Sequence, residues 1–482
     1  MNYSMTARVL GRVMLLGAAA LTLPLAASLI YSDGAAGAFL LTAALLAAPG
    51  AAAALLLRKP KTGMQPRDGF AAVALCWLVL SLFGALPAVL TGDIPNYIDS
   101  LFEAVSGFTT TGATIMTDIE SARPSILFWR SFTHWIGGMG VLVLALAVMP
   151  ADERGLHNLV KAESTGPSSD RIAPRLRGAA ARLYLIYVSL TAVLFVMLAA
   201  GGMSVFDALI HTFGTAGTGG FSNRALSVGA YESSYIEIVI TVFMLLFSVN
   251  FSVFYAALTR RLAQIRKNTE LKVFLCVTLV SGGLIALNLT SANAYGGFAE
   301  TARHSFFQVA SLMSTTGYAT TDFNVWPEFS KTVLALLMIV GACAGSTGGG
   351  LKISRAVILL KSSFRELKQI IHPRSVNVVR IDGRAAPDTL AAGVMHFFAA
   401  YMLLIFFGAL IVSLDGFGFE TSFSSALSAI SNVGPGFGAV GPLYTFADFS
   451  PLSKVTLAFC MLAGRLEIFP MLLLFTPSVW RR

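Results

Sequence analysis

Residues 106–114 read SGFTTTGAT, four threonines set around Gly112 between two long apolar runs, where lipid should penalise polar groups. Three later phrases have the same character: GTGGFS at 217–222, STTGYAT at 314–320 and SNVGPG at 431–436. Taking Gly112, Gly220, Gly317 and Gly434 as reference points, the spacings are 108, 97 and 117 residues, an internal repeat made four times. Eleven residues upstream stand Leu101, Leu209, Phe306 and Phe423; seven upstream, Val105, Phe213, Ala310 and Leu427; four upstream, Phe108, Ala216, Met313 and Ile430. All twelve are apolar, and the offsets trace one face of a helix.

Such a helix, of about ten to twelve residues, is about 15 to 18 Å long, enough to reach the bilayer middle but not to cross it. The chain must then return without regular structure. Non-helical backbone at that depth is tolerated only when buried in protein or lining a water-filled cavity. Four re-entrant loops around one axis would provide that cavity.

The surrounding composition agrees. Of 482 residues, 55% are hydrophobic and only 12% charged, against about 25% charged in soluble domains. Ten apolar segments reach the roughly 20 residues that a spanning helix needs: about 8–31, 36–57, 69–91, 125–149, 179–201, 233–258, 271–291, 331–360, 389–414 and 451–477. The expected fold is therefore an all-α, multi-pass membrane protein of ten transmembrane helices plus four re-entrant pore helices. Residues 1–67 hold two extra N-terminal spans. Pore repeats follow at 68–150, 151–260, 261–372 and 373–482.

The net charge of +9 does not form one patch of the kind nucleic acid requires. Basic residues sit instead in short segments beside alternate apolar runs, the positive-inside signature of cytoplasmic loops. Lipid is thus an expected partner and nucleic acid is not. Arg8 and Arg12 precede an apolar run to Tyr31 that is too long for a signal-peptide core and reads as an uncleaved first span. Cys76, Cys276, Cys343 and Cys460 lie far apart without metal-ligand spacing. GFGAVG at 436–441 matches a dinucleotide pattern but lacks the flanking strand and helix, and no Walker-type loop occurs. No cofactor and no enzymatic activity are expected.

The phrases around the reference glycines, TTGAT, TGGFS, TTGYA and NVGPG, lie without a gap over the potassium-filter sequence TVGYG. In such a filter backbone carbonyls replace the ion's water, and glycine reaches the conformations that aim its carbonyl inward. The candidate ion-binding residues are Thr110, Thr111, Gly112 and Ala113; Thr218, Gly219, Gly220 and Phe221; Thr315, Thr316, Gly317 and Tyr318; and Asn432, Val433, Gly434 and Pro435. Thr110, Thr218, Thr315 and Asn432 would form a ring at the inner mouth. The carbonyl end of each short helix would favour a cation.

On these motifs the chain resembles the Trk/Ktr/HKT superfamily of potassium transporters, in its Trk-type branch, over nearly the whole length. The resemblance implies potassium uptake through a channel-like pore in the cytoplasmic (inner) membrane of a bacterium. It also implies a homodimer and a TrkA-like cytoplasmic nucleotide-binding regulatory ring. Four filter glycines are the pattern associated there with potassium preference, whereas relatives with Ser in the first loop admit sodium. The alternative on the same scaffold is a sodium-permeable or ion-coupled cation symporter. Ala113, Phe221 and Pro435 depart from TVGYG and leave the outer rings open.

Below the filter, GACAGSTGGGLK interrupts the second span of repeat three. Its Gly345, Ser346, Thr347, Gly348, Gly349 and Gly350 are expected to break the helix, and the resemblance assigns them to a movable gate. Arg465 and Gly348 each lie 31 residues after their reference glycine and should face one another. An arginine at a span's centre costs roughly 2.5 to 3.5 kcal/mol on insertion scales, so it should face the interior or water. The same offset falls on Val143 and on Phe251, beside which Asn250 is a further candidate. Glu103, Asp207 and Glu420 read as complements to the positive ends of the short helices or as attractors at the mouth. His134 and His396 read as satisfied or interfacial, the other reading being groups that titrate near neutral pH.

Overall fold

The computed structural model describes residues 2–56, 65–140, 176–375 and 377–480, and these are mostly helical. The one pairing of strands among them is a two-residue hairpin, Arg380–Ile381 with Arg384–Ala385. Six helices among the described residues are long and apolar enough to cross a membrane: Tyr3–Tyr31, Ala36–Leu55, Arg67–Thr91, Ala180–Ala200, Thr269–Ser291 and Asp388–Asp415. They correspond to the two N-terminal spans and to the first span of each repeat.

The second spans behave differently. In repeat two, Ser234–Ser248 and Phe251–Leu258 meet at 92°. In repeat three, Glu328–Val340 ends twelve residues before Ile353–Ile371 begins. In repeat four, Pro451–Arg465 gives way to Phe469–Leu474. Only the break in repeat three was legible in the sequence, from its glycines. In repeat two, Val249 is extended and the Asn250 side chain accepts from Ser252 N at 2.9 Å, starting a new helix in the middle of an apolar run. In repeat four, Glu467 and Ile468 take positive φ just ahead of Pro470. The corresponding helix of repeat one is described as Pro124–Gly138. The rest of that expected span, with Val143 and the basic residues of 57–64, lies outside the described residues.

Each repeat also holds the expected short helix: Tyr97–Phe108, Val205–Gly217, Phe298–Met313 and Phe419–Ser431. Side chains start two of them, Asn96 accepting from Ile98 N at 2.8 Å and Ser204 from Asp207 N at 3.1 Å. All four carry an acid in the first turn, which complements the helix dipole. Burial deepens along them. The residues eleven before each glycine are partly buried, whereas Phe108, Ala216, Met313 and Ile430, four before, are fully buried.

The N-terminal pair packs closely because two glycines face each other: a Cβ on Gly50 would stand 2.8 Å from Gly11 O. Arg123 anchors this pair to repeat one, donating to Asp33 O at 3.2 Å and to Asp93 at 2.6 Å. Gly50→Val should therefore force the helices apart and cost about 1 to 3 kcal/mol. Thermal unfolding in detergent should show a clear drop relative to Gly37→Ala, where a Cβ meets nothing within 4 Å; equal melting would disprove this packing.

Candidate functional site

The short helices deliver four loops to one place. Two residues before each reference glycine the backbone turns left-handed, at Thr110, Thr218, Thr315 and Asn432 with φ of 55°, 54°, 60° and 55°. The glycines themselves have φ of 82°, 79°, 81° and 103°. Four asymmetric sequences thus adopt one backbone path, and only glycine takes the second turn without a steric penalty.

A Cβ on Gly112 would collide with Gly219 O, one on Gly220 with Thr316 O, one on Gly317 with Val433 O, and one on Gly434 with Thr111 O, all within 2.6 Å. Each oxygen belongs to the residue just before the next reference glycine. The sequence of approaches runs from loop one to two, two to three, three to four and back to one. The loops therefore close into a ring around a shared centre. On the side of the outgoing limbs lies a cavity of about 100 Å³ whose walls include all four glycines.

Hydroxyls behind the loops satisfy their bare backbone. Ser311 donates to Tyr318 O at 2.6 Å and Ser428 to Gly434 O at 2.7 Å. His134 joins two repeats: its Nδ1 lies 2.8 Å from Gly107 O, while Phe221 N donates to its Nε2 at 3.3 Å. That makes it a satisfied histidine, one of the two readings the sequence left open. The residues expected at the inner mouth share a backbone turn but not a side-chain role. Thr218 donates to Gly217 O at 2.6 Å, Thr315 accepts from Gly349 N at 2.7 Å, and Asn432 donates to Thr111 Oγ1 at 3.0 Å and Met461 O at 2.9 Å. The Thr110 hydroxyl is buried and has no protein hydrogen bond.

Directly under the ring lies the broken segment 341–352. A Cβ on Gly348 would stand 2.7 Å from Ser314 O, and one on Gly349 would collide with Ser431 O, so this segment touches the ends of the third and fourth short helices. Its backbone is paired with the break of repeat two: Cys343 N donates to Ser248 O at 3.1 Å, Thr347 N to Phe247 O at 3.3 Å, and Phe251 N to Gly345 O at 3.1 Å. Two interrupted helices at the same depth thus supply each other's missing partners. Asn250 belongs to this layer, 3.2 Å from where a Cβ on Gly345 would be. Glu270 holds the segment from the side, accepting from Ala344 N at 2.7 Å and Ser354 N at 3.2 Å.

Arg465 lies at this level, as the equal offsets predict. Its guanidinium donates to Thr347 O at 2.7 Å, to Gly138 O at 2.7 Å and to Gly137 O. The arginine thus joins repeat four to the broken segment and to the helix end of repeat one. Lys352 donates to Gly348 O, and Arg355 pairs with Glu467. Between Gly348, Gly464, Arg465 and Glu467 remains a cavity of about 10 Å³.

Among the acids read as complements of the short helices' positive ends or attractors at the mouth, Glu420 is 57% exposed and 3.6 Å from Lys331. Asp207 is instead bound by Asn223 at 2.6 Å and Arg224 at 3.4 Å. Glu103 lies inside the protein, accepting from Arg130 at 2.7 Å and from Ile115 N at 2.9 Å. Arg130 itself was missed. Nothing in its local sequence distinguishes it from an interfacial arginine; only Glu103 on another helix does.

A family model described as TrkH, cation transport protein, matches residues 36–482. The chain is 37% identical over 485 residues to the Trk system potassium uptake protein TrkH of Salmonella typhimurium, covering 100% of both. It is 33% identical to the Trk system potassium uptake protein TrkG of Escherichia coli, covering 95% of this chain and 94% of that one. The crystal structure of the potassium transporter TrkH from Vibrio parahaemolyticus superimposes with a TM-score of 0.90 at 34% identity, over 100% of both chains.

Ring closure depends on missing Cβ atoms. Gly220→Ala should cost at least about 1 to 3 kcal/mol through overpacking and positive-φ strain. Gly283→Ala, where a Cβ meets nothing and helix propensity improves, should be neutral or stabilising. Melting of the two variants in detergent should separate clearly, and coincident curves would contradict the ring.

Proposed function

We propose, since the chain belongs to the TrkH family of cation transport proteins, that it takes up potassium through a channel-like path across the cytoplasmic membrane of a bacterium. The observation that carries this reading is the closed cycle in which each reference glycine lies against the carbonyl preceding the next. Four left-handed turns followed by four left-handed glycines alternate with extended or right-handed residues. That alternation lets successive carbonyls face one side, the arrangement that substitutes for a cation's hydration shell.

In this reading, the ion passes Ala113, Phe221, Tyr318 and Pro435, then the reference glycines, then Thr111, Gly219, Thr316 and Val433, and last Thr110, Thr218, Thr315 and Asn432. Hydroxyls behind the loops fix the carbonyls so that they need not reorganise as the ion enters. Four helix C-termini add their partial negative charge at the inner mouth. The segment from Gly345 to Gly350 is the gate, and Arg465 is its latch. A fixed positive charge there opposes a cation, and its hydrogen bonds to Thr347, Gly137 and Gly138 hold the segment across the path.

The membrane unit would be a homodimer controlled by a cytoplasmic nucleotide-binding regulatory ring. That ring would contact basic loops such as Arg260–Lys272 and Lys352–Arg384. The same geometry would serve a sodium-permeable or ion-coupled symporter if the outer limbs, which depart from TVGYG, widen the choice of ion.

Proteoliposomes holding the full chain should accumulate radioactive rubidium, with potassium competing better than sodium and with no dependence on an imposed pH gradient. Sodium competing equally, or uptake that follows the pH gradient, would instead favour the alternative. Gly112→Ser should reduce the preference for potassium over sodium by about tenfold, and an unchanged preference would remove Gly112 from the selecting ring. Arg465→Gln, which removes charge and latch together, should raise basal rubidium flux by about tenfold; flux at or below the unaltered level would contradict the latch.

A further inference from the structure

Nine residues before the reference glycines stand Glu103, His211, Gln308 and Ser425. All four are polar and all are buried, at 4% exposure or less. In three repeats this position reaches across to the outgoing limb of its own loop. Glu103 accepts from Thr114 Oγ1 at 2.9 Å, and Thr114 is the second residue after Gly112. His211 Nε2 meets the hydroxyl of Ser222, the second residue after Gly220, at 3.0 Å. Gln308 donates to Thr321 O at 3.4 Å. In repeat four Ser425 bonds within its own helix, and the neighbouring Ser424 takes over, accepting from Phe437 N at 2.9 Å. Each short helix thus tethers the limb that leaves the ring beside it.

Only in repeat one is this position occupied by a charged residue. Glu103 is paired with Arg130, and their side chains are 4% and 5% exposed. Arg130 also donates to Thr114 Oγ1 at 3.1 Å. Its guanidinium carbon lies 4.1 Å from the ring centroid of Phe221, the residue after Gly220. The arginine therefore holds loop one through a hydrogen bond and loop two through its face, and it lines the outer cavity. An unpaired cation there would repel the entering ion, and an unpaired buried charge is costly, so Glu103 is needed for both reasons.

We propose that Glu103 and Arg130 are positioning residues for ion discrimination: together they fix the outer limbs of loops one and two, and with them the spacing of the carbonyls that face the ion. The inference rests on the potassium-uptake reading above. The other repeats use neutral hydrogen bonds at this position, with a half-exposed Arg224–Asp207 pair nearby in repeat two; the fully buried ion pair of repeat one gives its corner a stiffness that they lack. Without it the limbs can close around a smaller cation.

The test uses the full chain in proteoliposomes, measuring rubidium uptake against competing potassium and sodium. Glu103→Gln preserves shape and removes the charge; Thr114→Val leaves the ion pair and the Ile115 N bond to Glu103 and removes the hydroxyl that Glu103 and Arg130 share. Both should make sodium a better competitor relative to potassium by about tenfold; Thr114→Val, which keeps Arg130 paired, should hold rubidium uptake in the absence of competitors within about threefold of the unaltered protein, whereas Glu103→Gln, which leaves Arg130 unpaired, should lower it. A potassium preference unchanged in both variants would overturn the proposal. So would loss of all uptake in a Thr114→Val variant whose melting is unaltered, since that places the tether in gating or conduction rather than selection. If Glu103→Gln fails to fold, Thr114→Val decides alone. An unaltered protein that takes up no rubidium would remove the premise as well, a failure distinguishable because it precedes any substitution.

Discussion

The structure depends on one steric fact: four peptide backbones meet with no side chain between them. Each reference glycine lies where a Cβ would strike the carbonyl of the adjacent loop. The ring can close only if all four loops arrive at the same depth with the same handedness. That requirement sets where the four short helices end and places a left-handed residue two before each glycine. It also explains the density of hydroxyls behind the loops, since extended backbone inside a bilayer must find its partners within the protein.

The same constraint shapes what lies below. A second span continuing straight past the ring would meet the ends of the short helices. Gly137 and Gly464 allow the spans of repeats one and four to approach Phe108 O and Ile430 O, where a Cβ would collide. Further down, the described second spans of repeats two, three and four break; the exposed peptide groups of repeats two and three are taken up by one another, by Glu270 and by Arg465, and those of repeat four within their own turn. The hydrogen bonds of the broken segment come from several separate elements rather than from one continuous ladder. Shifting the segment trades a few such bonds without unwinding a helix.

Much of this was legible in the chain because it was written in backbone-determining residues. Glycine spacing gave the four loops, hydrophobic run length gave the first span of every repeat, and equal offsets brought Arg465 to the level of Gly348. What escaped the sequence was written in partnerships. The break at Val249–Asn250 lies in an apolar run, and only the cap made by the Asn250 side chain reveals it. The break after Arg465 turns on positive φ at Glu467 and Ile468, residues that ordinarily avoid it. Glu103 looked like a helix-end acid because the repeated apolar face begins at Leu101, whereas the helix begins at Tyr97 and has Asp99 in its first turn. Its partners Thr114 and Arg130 belong to other elements, and no local pattern brings them together.

The ring therefore has two levels of symmetry, which need not serve the same end. Its backbone is four-fold in path, as carbonyl coordination of a single ion would require. Its side chains are not: Asn432 stands where three repeats have threonine, Pro435 where one has tyrosine, and the buried Glu103 with its arginine stands where the other repeats have His211, Gln308 and Ser425. A chain built from four linked copies can vary one copy while the others keep the ring closed, because the closest approach of each loop to the next is between main-chain atoms, which substitution elsewhere leaves unchanged. Side chains in the second layer are then free to differ, and differences there can adjust one quadrant of the carbonyl ring by fractions of an ångström. Discrimination between cations of similar size turns on displacements of that order, so the asymmetric layer is where a covalently joined pore gains freedom that a tetramer of identical subunits lacks.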